Sequence, residues 1–383
     1  MIKNTTASQT KTLFFSVLTA LMVISGEIKI LSHLRYTILP LCFIIFLKDK
    51  RLKSTFNPIS KLVLFFAVVG TFSMFYSFTT NNYLRGQNFF GFKEIILIII
   101  PMVTVNFLNN SKSFNFQTFV KTNLIVYCIF QISIIILDPP DSGINFLDFI
   151  LNGSLSEFEG SITFIIGFIG LFYFLKRDYK IFFFVIFLLL FNGKRVVFFG
   201  LLFSALMDFI IKNSFLKNHF RKVLLFAYAL ILLFMILFAD GYFNDYFIKT
   251  FGVSIDNFTK GRYYLINSTF KKLDAYSYLF GNGAGFSTRY LDLMRINQNT
   301  KLLHSDILKI FIEYGIFGTL TLVYLFFKKI IVLESFAYGL FFIVVSLTDN
   351  IIMYNHVMFY FYVFVSSFFY ISNTKVKNLR TAY

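Results

Sequence analysis

The chain has 383 residues, of which 57% are hydrophobic and 14% are charged, and its mean hydropathy is +0.71. Soluble domains average about 45–50% apolar and about 25% charged residues, so this composition excludes a soluble enzyme, and an aromatic content of 21% excludes a disordered chain. The formal net charge of +17 fits a lipid bilayer as partner and the topology of a membrane protein, so we expect no binding of nucleic acid.

Twelve apolar runs follow one another along the chain, and most approach the roughly 20 residues that a transmembrane helix needs. We therefore predict an all-α polytopic membrane protein with about 12 transmembrane helices, of which the second and the seventh are the shortest. The runs are Leu13–Ile30, Leu34–Leu47, Leu62–Phe78, Glu94–Leu108, Phe119–Leu137, Ser161–Leu175, Ile181–Phe191, Val196–Ile211, Val223–Ala239, Ile307–Phe327, Ile330–Leu347 and Ile351–Ile371.

The positions of Lys and Arg orient these predicted helices. With the N-terminus in the cytoplasm, the inner segments carry most of the Lys and Arg, and the short outer loops carry few. The outer loop from Asp138 to Glu159 holds five acidic residues and neither Lys nor Arg. This alternation predicts a multi-pass protein of the plasma membrane with both termini in the cytoplasm.

The polar stretch 240–304 interrupts the series of apolar runs. It divides the chain into helices 1–9 in residues 1–239, an outer loop cap in residues 240–304, and helices 10–12 in residues 305–383. Connections usually have about 4–6 residues, and loops as long as this one are generally functional or disordered. Its many aromatic residues and its excess of Lys and Arg over Asp predict a folded, basic cap that lies on the membrane.

The cap contains a glycine-rich segment from Gly281 to Phe286, which is similar to half of a dinucleotide-binding fingerprint. We reject that function because no strand is predicted before the segment. Glycine allows the backbone to approach a ligand closely, so Gly283 and Gly285 are candidates for substrate binding. Arg289, one of the basic residues of the cap, is a further candidate.

His304 follows the cap and precedes Ser305, a favourable N-cap residue, and Asp306, which suits the first turn of a helix. We expect the helix dipole to lower the pKa of His304 and so to favour the neutral form that a general base requires. Further along the same helix, Lys309 and Glu313 are four residues apart, which predicts an ion pair on one face. His304 and Asp306 lack further ligands nearby, so we expect neither a metal nor a cofactor.

The segment from Asn192 to Arg195 forms a turn between the seventh and eighth predicted helices. On the predicted topology Lys194 and Arg195 face the outside, against the positive-inside tendency, and basic residues at membrane depth usually mark a functional site. Arginine matches phosphate oxygens with two parallel hydrogen bonds, and lysine supplies a point charge.

These motifs, taken in chain order, resemble those of the O-antigen polymerase and O-antigen ligase superfamily. They are Asn-Gly-Lys-Arg before a helix, Gly-Arg at 261–262, Gly-Asn-Gly-Ala-Gly-Phe at 281–286, His-Ser-Asp at 304–306 and Glu-Tyr-Gly-Ile-Phe-Gly at 313–318. The resemblance in architecture, a GT-C-like bundle with a large cap between helices 9 and 10, covers nearly the whole chain. Two positions depart from the family pattern: Lys194 replaces a small residue and Ser305 replaces Asn.

The resemblance implies metal-independent glycosyl transfer from an undecaprenyl-pyrophosphate-linked oligosaccharide at the periplasmic face of the bacterial inner membrane. Arg195 and Arg262 look like the pair that holds the pyrophosphate, and His304 looks like the residue beside the acceptor hydroxyl. Lys194 is a further candidate for substrate binding. Glu159, at the outer end of the sixth predicted helix, is a candidate for contact with sugar hydroxyls.

The expected function is that of an O-antigen polymerase, with a chain-length regulator as a further partner. An O-antigen ligase, which moves the finished chain to the lipid A core, needs the same donor site and stays an alternative. A flippase or other transporter is a second alternative, which requires charged or broken-helix positions near the middle of the bilayer. Simpler roles also stay open: a lipid-interface cation for Arg195, a solvated charge for Arg262 and a helix cap for His304.

Overall fold

The computed structural model describes residues 2–26, 29–49, 58–111, 113–137, 160–191, 194–252, 254–259, 261–294 and 303–380. The described part of the chain is helical and contains no strand, which confirms the predicted all-α class. The helices up to residue 240 are α1 (Ile2–Ser25), α2 (Ile38–Phe46), α3 (Pro58–Ser77), α4 (Gln87–Asn109), α5 (Phe116–Leu137), α6 (Ile162–Leu175), α7 (Tyr179–Phe191), α8 (Arg195–Lys212) and α9 (Phe220–Asp240).

Short helices occupy the region of the predicted cap, and longer ones follow it. The short helices are α10 (Asn244–Phe251), α11 (Ile255–Phe258), α12 (Arg262–Phe270), α13 (Ala275–Phe280) and α14 (Phe286–Met294). The last three helices are α15 (Asp306–Ile330), α16 (Phe336–Val345) and α17 (Asn355–Arg380). The division into two helical regions and an outer cap stays a prediction.

Five helical segments in the described part of the chain are long and apolar enough to cross a membrane. They are Ser8–Ser25, Ile59–Ser77, Gln87–Asn109, Phe215–Asp240 and Asp306–Ile330. These segments, together with shorter apolar helices such as α6 and α7, are consistent with a multi-pass membrane protein. Helical structure is found at all twelve predicted runs, but the nine residues of α2 rise only about 14 Å against a hydrocarbon core of about 30 Å. The number of twelve crossings therefore stays a prediction.

Large apolar side chains stay exposed on the outer faces of these helices. Phe72 and Phe75 of α3 are 70% and 68% exposed, and Ile44 of α2 is 78% exposed. A soluble protein exposes such side chains singly rather than on successive turns of a helix, so these surfaces fit contact with lipid.

The centre of the bundle is formed by helices that are apolar on every side. Nearly all of α6 and α16 is buried, and so is the first half of α17. The ring of Phe168 on α6 packs against Phe341 of α16 and Phe361 of α17, with centroids 5.4 and 5.8 Å apart. Aromatic contacts between these three helices therefore fill the centre of the bundle.

The glycine-rich segment 281–286 forms hydrogen bonds with α15 at a point where that helix is interrupted. Gly315 interrupts the helix with φ 64°, so the carbonyl groups of the preceding turn lose their usual partners. The N–H groups of Asn282 and Gly283 donate to the carbonyl oxygens of Ile312 and Glu313 at 3.0 and 2.9 Å. These two hydrogen bonds connect the region of the predicted cap to α15.

Candidate functional site

Three segments that are far apart in the sequence meet at the turn after α16. Lys194 directly precedes α8, Arg262 is the first residue of α12, and His304 lies two residues before α15. The Lys194 Nζ lies 2.9 Å from Asp349 Oδ2, and Arg262 Nη1 donates to the carbonyl oxygen of Thr348 at 3.2 Å. We refer to Lys194, Arg262, His304 and Asp349 as the basic cluster.

The start of α15 is held in place by hydrogen bonds to the same turn. The Ser305 hydroxyl accepts from the N–H of Leu308 at 3.4 Å, which confirms the predicted N-cap. The N–H of Asp306 donates to the carbonyl oxygens of Ser346 and Asp349 at 3.0 and 3.2 Å. His304 thus precedes a helix whose first turn is fixed to the loop that carries Asp349.

The electrostatic surroundings of His304 favour its neutral form. Burial is the largest effect that lowers the pKa of His304 below its ordinary value, followed by the positive charge of Arg262; Lys194 lowers it further, and Asp349 opposes them. The predicted direction of the shift is confirmed, and burial and Arg262 are its main causes. A neutral imidazole can accept a proton from a hydroxyl group.

Asp349 is an acid in this cluster that the sequence alone did not single out. Its burial on its own would raise the pKa, but the ammonium of Lys194, the N–H of Asn350 at 2.8 Å and the hydroxyl of Tyr354 at 3.0 Å hold the pKa below its ordinary value. Asp349 is therefore an ionised carboxylate. Its position between two apolar runs is the signal that could have identified it, because acids near membrane depth are rarely incidental.

Positive charge exceeds negative charge in the basic cluster. Lys194 and Arg262 contribute two cations, and Arg195, a partly buried residue, directly follows Lys194. Asp349 is the acid of the cluster, and the buried side chain of Asp306, whose N–H donates to Asp349, lies beside it. Each helix N-terminus adds a partial positive charge, which makes cations at these positions unfavourable unless an anion lies nearby. The arrangement suits an anion with several oxygen atoms, such as a diphosphate.

Arg289 lies elsewhere in the structure. Its guanidinium donates to the carbonyl oxygen of Arg85 at 2.8 Å, forms an ion pair with Asp292 at 2.8 Å, and lies over the ring of Phe90. These partners belong to α14, to α4 and to the residues just before α4, and not to the basic cluster. The N–H of Arg289 donates to the carbonyl oxygen of Gly285, another candidate, at 3.0 Å. The role of Arg289 in substrate binding stays a prediction.

The two candidate glycines are buried between helices. A Cβ atom at Gly283 would lie 2.4 Å from the Cβ of Ser77, and a Cβ at Gly285 would lie 2.3 Å from the backbone nitrogen of Gly91. The N–H of Gly283 is already bonded to Glu313, so the structure gives this glycine a packing role. Their proposed contact with substrate stays a prediction. Glu159 lies outside the described residues.

A second group of charged side chains is buried where α4, α14 and α15 meet. Lys309 Nζ lies 2.6 Å from Glu313 Oε1 and 2.9 Å from Glu94, which confirms the predicted pair four residues apart. The hydroxyl groups of Ser287 and Thr288 on α14 complete the network, at 3.0 and 3.2 Å from the same Nζ. We refer to Glu94, Lys309 and Glu313 as the acidic cluster, because two carboxylates surround one ammonium.

No family model, curated protein or solved structure matches this chain. The chemistry open to the basic cluster therefore follows from its own side chains: cations that bind an anion, and a neutral histidine that accepts a proton.

Proposed function

We propose that this chain is a glycosyltransferase of the bacterial inner membrane that polymerises O-antigen or a related surface polysaccharide. It transfers the growing oligosaccharide from undecaprenyl pyrophosphate to a lipid-linked repeat unit at the periplasmic face. The observation that carries the proposal is the excess of cations around a neutral His304, held at helix N-termini. Twelve crossings with both termini in the cytoplasm are part of this proposal.

The basic cluster has the groups that such a transfer requires. Cleavage of the glycosidic C–O bond leaves the electron pair on an oxygen of the pyrophosphate, and Arg262 and Arg195 stabilise the charge that develops there. Neutral His304 accepts the proton of the acceptor hydroxyl as the new C–O bond forms. Asp349 holds Lys194 in place and stabilises the imidazolium that results.

An O-antigen ligase fits the same donor chemistry and differs only in its acceptor. A transporter is a second candidate because two observations favour it. The acidic cluster places ionisable groups inside spanning helices, and Gly315 breaks α15 about nine residues, or about 14 Å, from its start. We prefer the enzyme because the Lys and Arg residues of the basic cluster lie at helix ends and not along the interior of a helix.

The proposal is tested with Arg262→Ala and His304→Ala in a strain that makes the polysaccharide, by separating its surface lipopolysaccharide on a gel. We expect both variants to leave the core with a single repeat unit, with a loss of polymer of about 100-fold or more, as for removal of a group that stabilises developing charge. The matched control is Lys328→Ala, an exposed cation at the far end of α15. A bare core would identify a ligase, and an unchanged ladder would contradict both enzymes.

A further inference from the structure

The acidic cluster holds more acid than base in a place that is closed to water. Glu94, Lys309 and Glu313 are 5%, 6% and 2% exposed, and they belong to α4 and α15, two helices long and apolar enough to cross a membrane. Two carboxylates around one ammonium leave one negative charge unmatched. A buried charge without a partner is costly, so such a group either binds a further cation or takes up a proton.

The other charged side chains of α4, α14 and α15 do not match this charge. Lys93 of α4 is exposed, and Arg289 of α14 is paired with Asp292. Lys328 and Lys329 lie in the last turn of α15, far from Lys309 along the helix. Asp306 lies one turn before Lys309, is buried, and adds acid rather than base. The excess of acid is therefore a property of the whole contact between these helices.

The neighbouring helices add no matching cation either. Helices α2, α3, α9, α13 and α17 also pack against α4 or α15. Their described cations lie at the opposite ends of α3 and α9, where Ser60 bonds to Asn106 of α4 and Arg221 bonds to Ile331. The other titratable side chains described in these helices are Cys42, Tyr76, Tyr228, Asp240, Tyr276, Tyr278, His356, Tyr360 and Tyr362. The histidine is already bonded to Ser161.

The hydrogen bonds around the two carboxyl groups differ. Glu313 Oε1 accepts from Lys309 at 2.6 Å, from the Ser287 hydroxyl at 2.6 Å and from the Ser287 N–H at 3.3 Å. Glu94 Oε1 has Lys309 at 2.9 Å and the hydroxyl of Thr288 at 2.5 Å. Three donors stabilise an ionised Glu313. A hydroxyl group donates or accepts equally well, so Thr288 can also accept from a protonated Glu94.

A metal ion fits this site less well than a proton. The Lys309 Nζ already lies 2.6 Å from Glu313 and 2.9 Å from Glu94, so it occupies the space between the two carboxyl groups. Within the described ranges, no group of three or more His, Cys, Asp and Glu side chains is placed to hold a metal ion. A proton needs only one oxygen atom and one acceptor, and Thr288 supplies that acceptor.

We propose that the acidic cluster is a proton-binding site. Glu94 carries one proton at neutral pH and donates to Thr288, while Lys309 and Glu313 form the ion pair beside it. The proton comes from water and returns to it, and its loss weakens the attachment of α14 to α4 and α15. The inference does not rest on the proposed glycosyl transfer, because the network contains no residue of the basic cluster.

The first test compares two isosteric variants of the full chain in detergent at pH 7. Glu94→Gln imitates the protonated acid, since its amide donates to Thr288 and its carbonyl oxygen accepts from Lys309. We expect its melting temperature to stay within about 2 °C of the wild type. Glu313→Gln removes the ionised partner of Lys309, and we expect a fall of about 5 °C or more.

The second test follows the melting temperature from pH 5 to pH 9. The folded protein keeps a proton on Glu94 that the unfolded chain, with an ordinary Glu pKa of about 4.3, has released. The wild type therefore loses stability as the pH rises through this window. Glu94→Gln removes this contribution, so its melting temperature falls less, by about 3 °C or more over the window. Glu334→Gln, a partly exposed acid outside the cluster, is the control and keeps the wild-type slope.

Infrared spectroscopy at pH 7 detects the proton directly. We expect a carbonyl stretch of a protonated carboxylic acid that Glu94→Gln removes and Glu334→Gln retains. Four results would overturn the proposal: failure of Glu94→Gln to fold at pH 7, equal losses of stability in Glu94→Gln and Glu313→Gln, the same pH slope in Glu94→Gln and the wild type, or a melting temperature that depends on Na⁺ in place of K⁺.

Discussion

The basic cluster and the acidic cluster lie near the first turns of the same helix and differ in how their charges are matched. In the acidic cluster, Lys309 bonds to both carboxylates and to two hydroxyl groups, and every member is buried. In the basic cluster, Lys194 has Asp349 as its counter-ion, whereas Arg262 donates to a carbonyl oxygen and is partly exposed. A buried network that satisfies its own members holds helices together, and a partly open group with surplus charge is suited to a ligand.

The largest effect is expected in the acidic cluster. Lys309→Met leaves Glu94 and Glu313 buried without their cation, and removal of one partner from a buried pair costs about 3–5 kcal/mol. We expect a strongly lowered melting temperature of the detergent-solubilised protein. Lys194→Met is the matched control. We expect it to lower the melting temperature less, because Asp349 keeps the hydrogen bonds donated by Asn350 and Tyr354. Equal melting temperatures for the two variants would contradict the distinction between the clusters.

A second test asks whether the contact between the glycine-rich segment and the break in α15 contributes to the stability of the fold. Gly315→Ala places a Cβ atom 2.4 Å from the backbone of Leu279 at a positive φ, so we expect a cost of about 2–5 kcal/mol from strain and overpacking. Gly261→Ala is the control, since its φ is also positive and, among the described residues other than its chain neighbours, no atom would lie within 4 Å of the new Cβ. Strain at a positive φ costs about 1–2 kcal/mol by itself. The melting temperatures of both variants measure the difference. If they fall equally, the contact of α15 with the glycine-rich segment contributes nothing to stability.

The pH dependence of sugar transfer tests whether His304 is the base that accepts the proton of the acceptor hydroxyl. Protonated His304 cannot accept a proton, so the rate falls as the pH drops through its pKa, which lies below the ordinary value of 6.5. Arg262 lowers this pKa, and Arg262→Gln therefore moves the acidic limb of the pH–rate profile to higher pH. Asp349 raises it, and Asp349→Asn moves the limb to lower pH. Profiles in which neither variant shifts the limb would remove His304 from the role of base.

The smallest effect is expected at Arg289. Its ion pair with Asp292 is partly exposed, with side chains 22% and 20% exposed, and such pairs contribute about 0–1 kcal/mol. Arg289→Ala should lower the melting temperature by only a few degrees, and less in high salt. A loss as large as that of Lys309→Met would show that Arg289 belongs to a buried network.

Local patterns were sufficient for the features that depend on near neighbours in the sequence. Apolar runs predicted helices because a chain in lipid has to satisfy its backbone hydrogen bonds within each segment. The Ser305 cap and the pair of Lys309 with Glu313 follow from the geometry of a single helix turn. The lowered pKa of His304 was predicted in direction but not in cause, since burial depends on distant residues.

The remaining features were decided by contacts between distant parts of the chain. Lys194 meets Asp349 across 155 positions and Lys309 meets Glu94 across 215, and no local pattern specifies such pairs. The glycine-rich segment has the composition of a ligand-binding loop. In the structure it packs near Gly315, and its N–H groups bond to the carbonyl oxygens that the break in α15 leaves without helical partners. Helix formation is a local property of the backbone, whereas the pairing of buried charges depends on how the helices pack together.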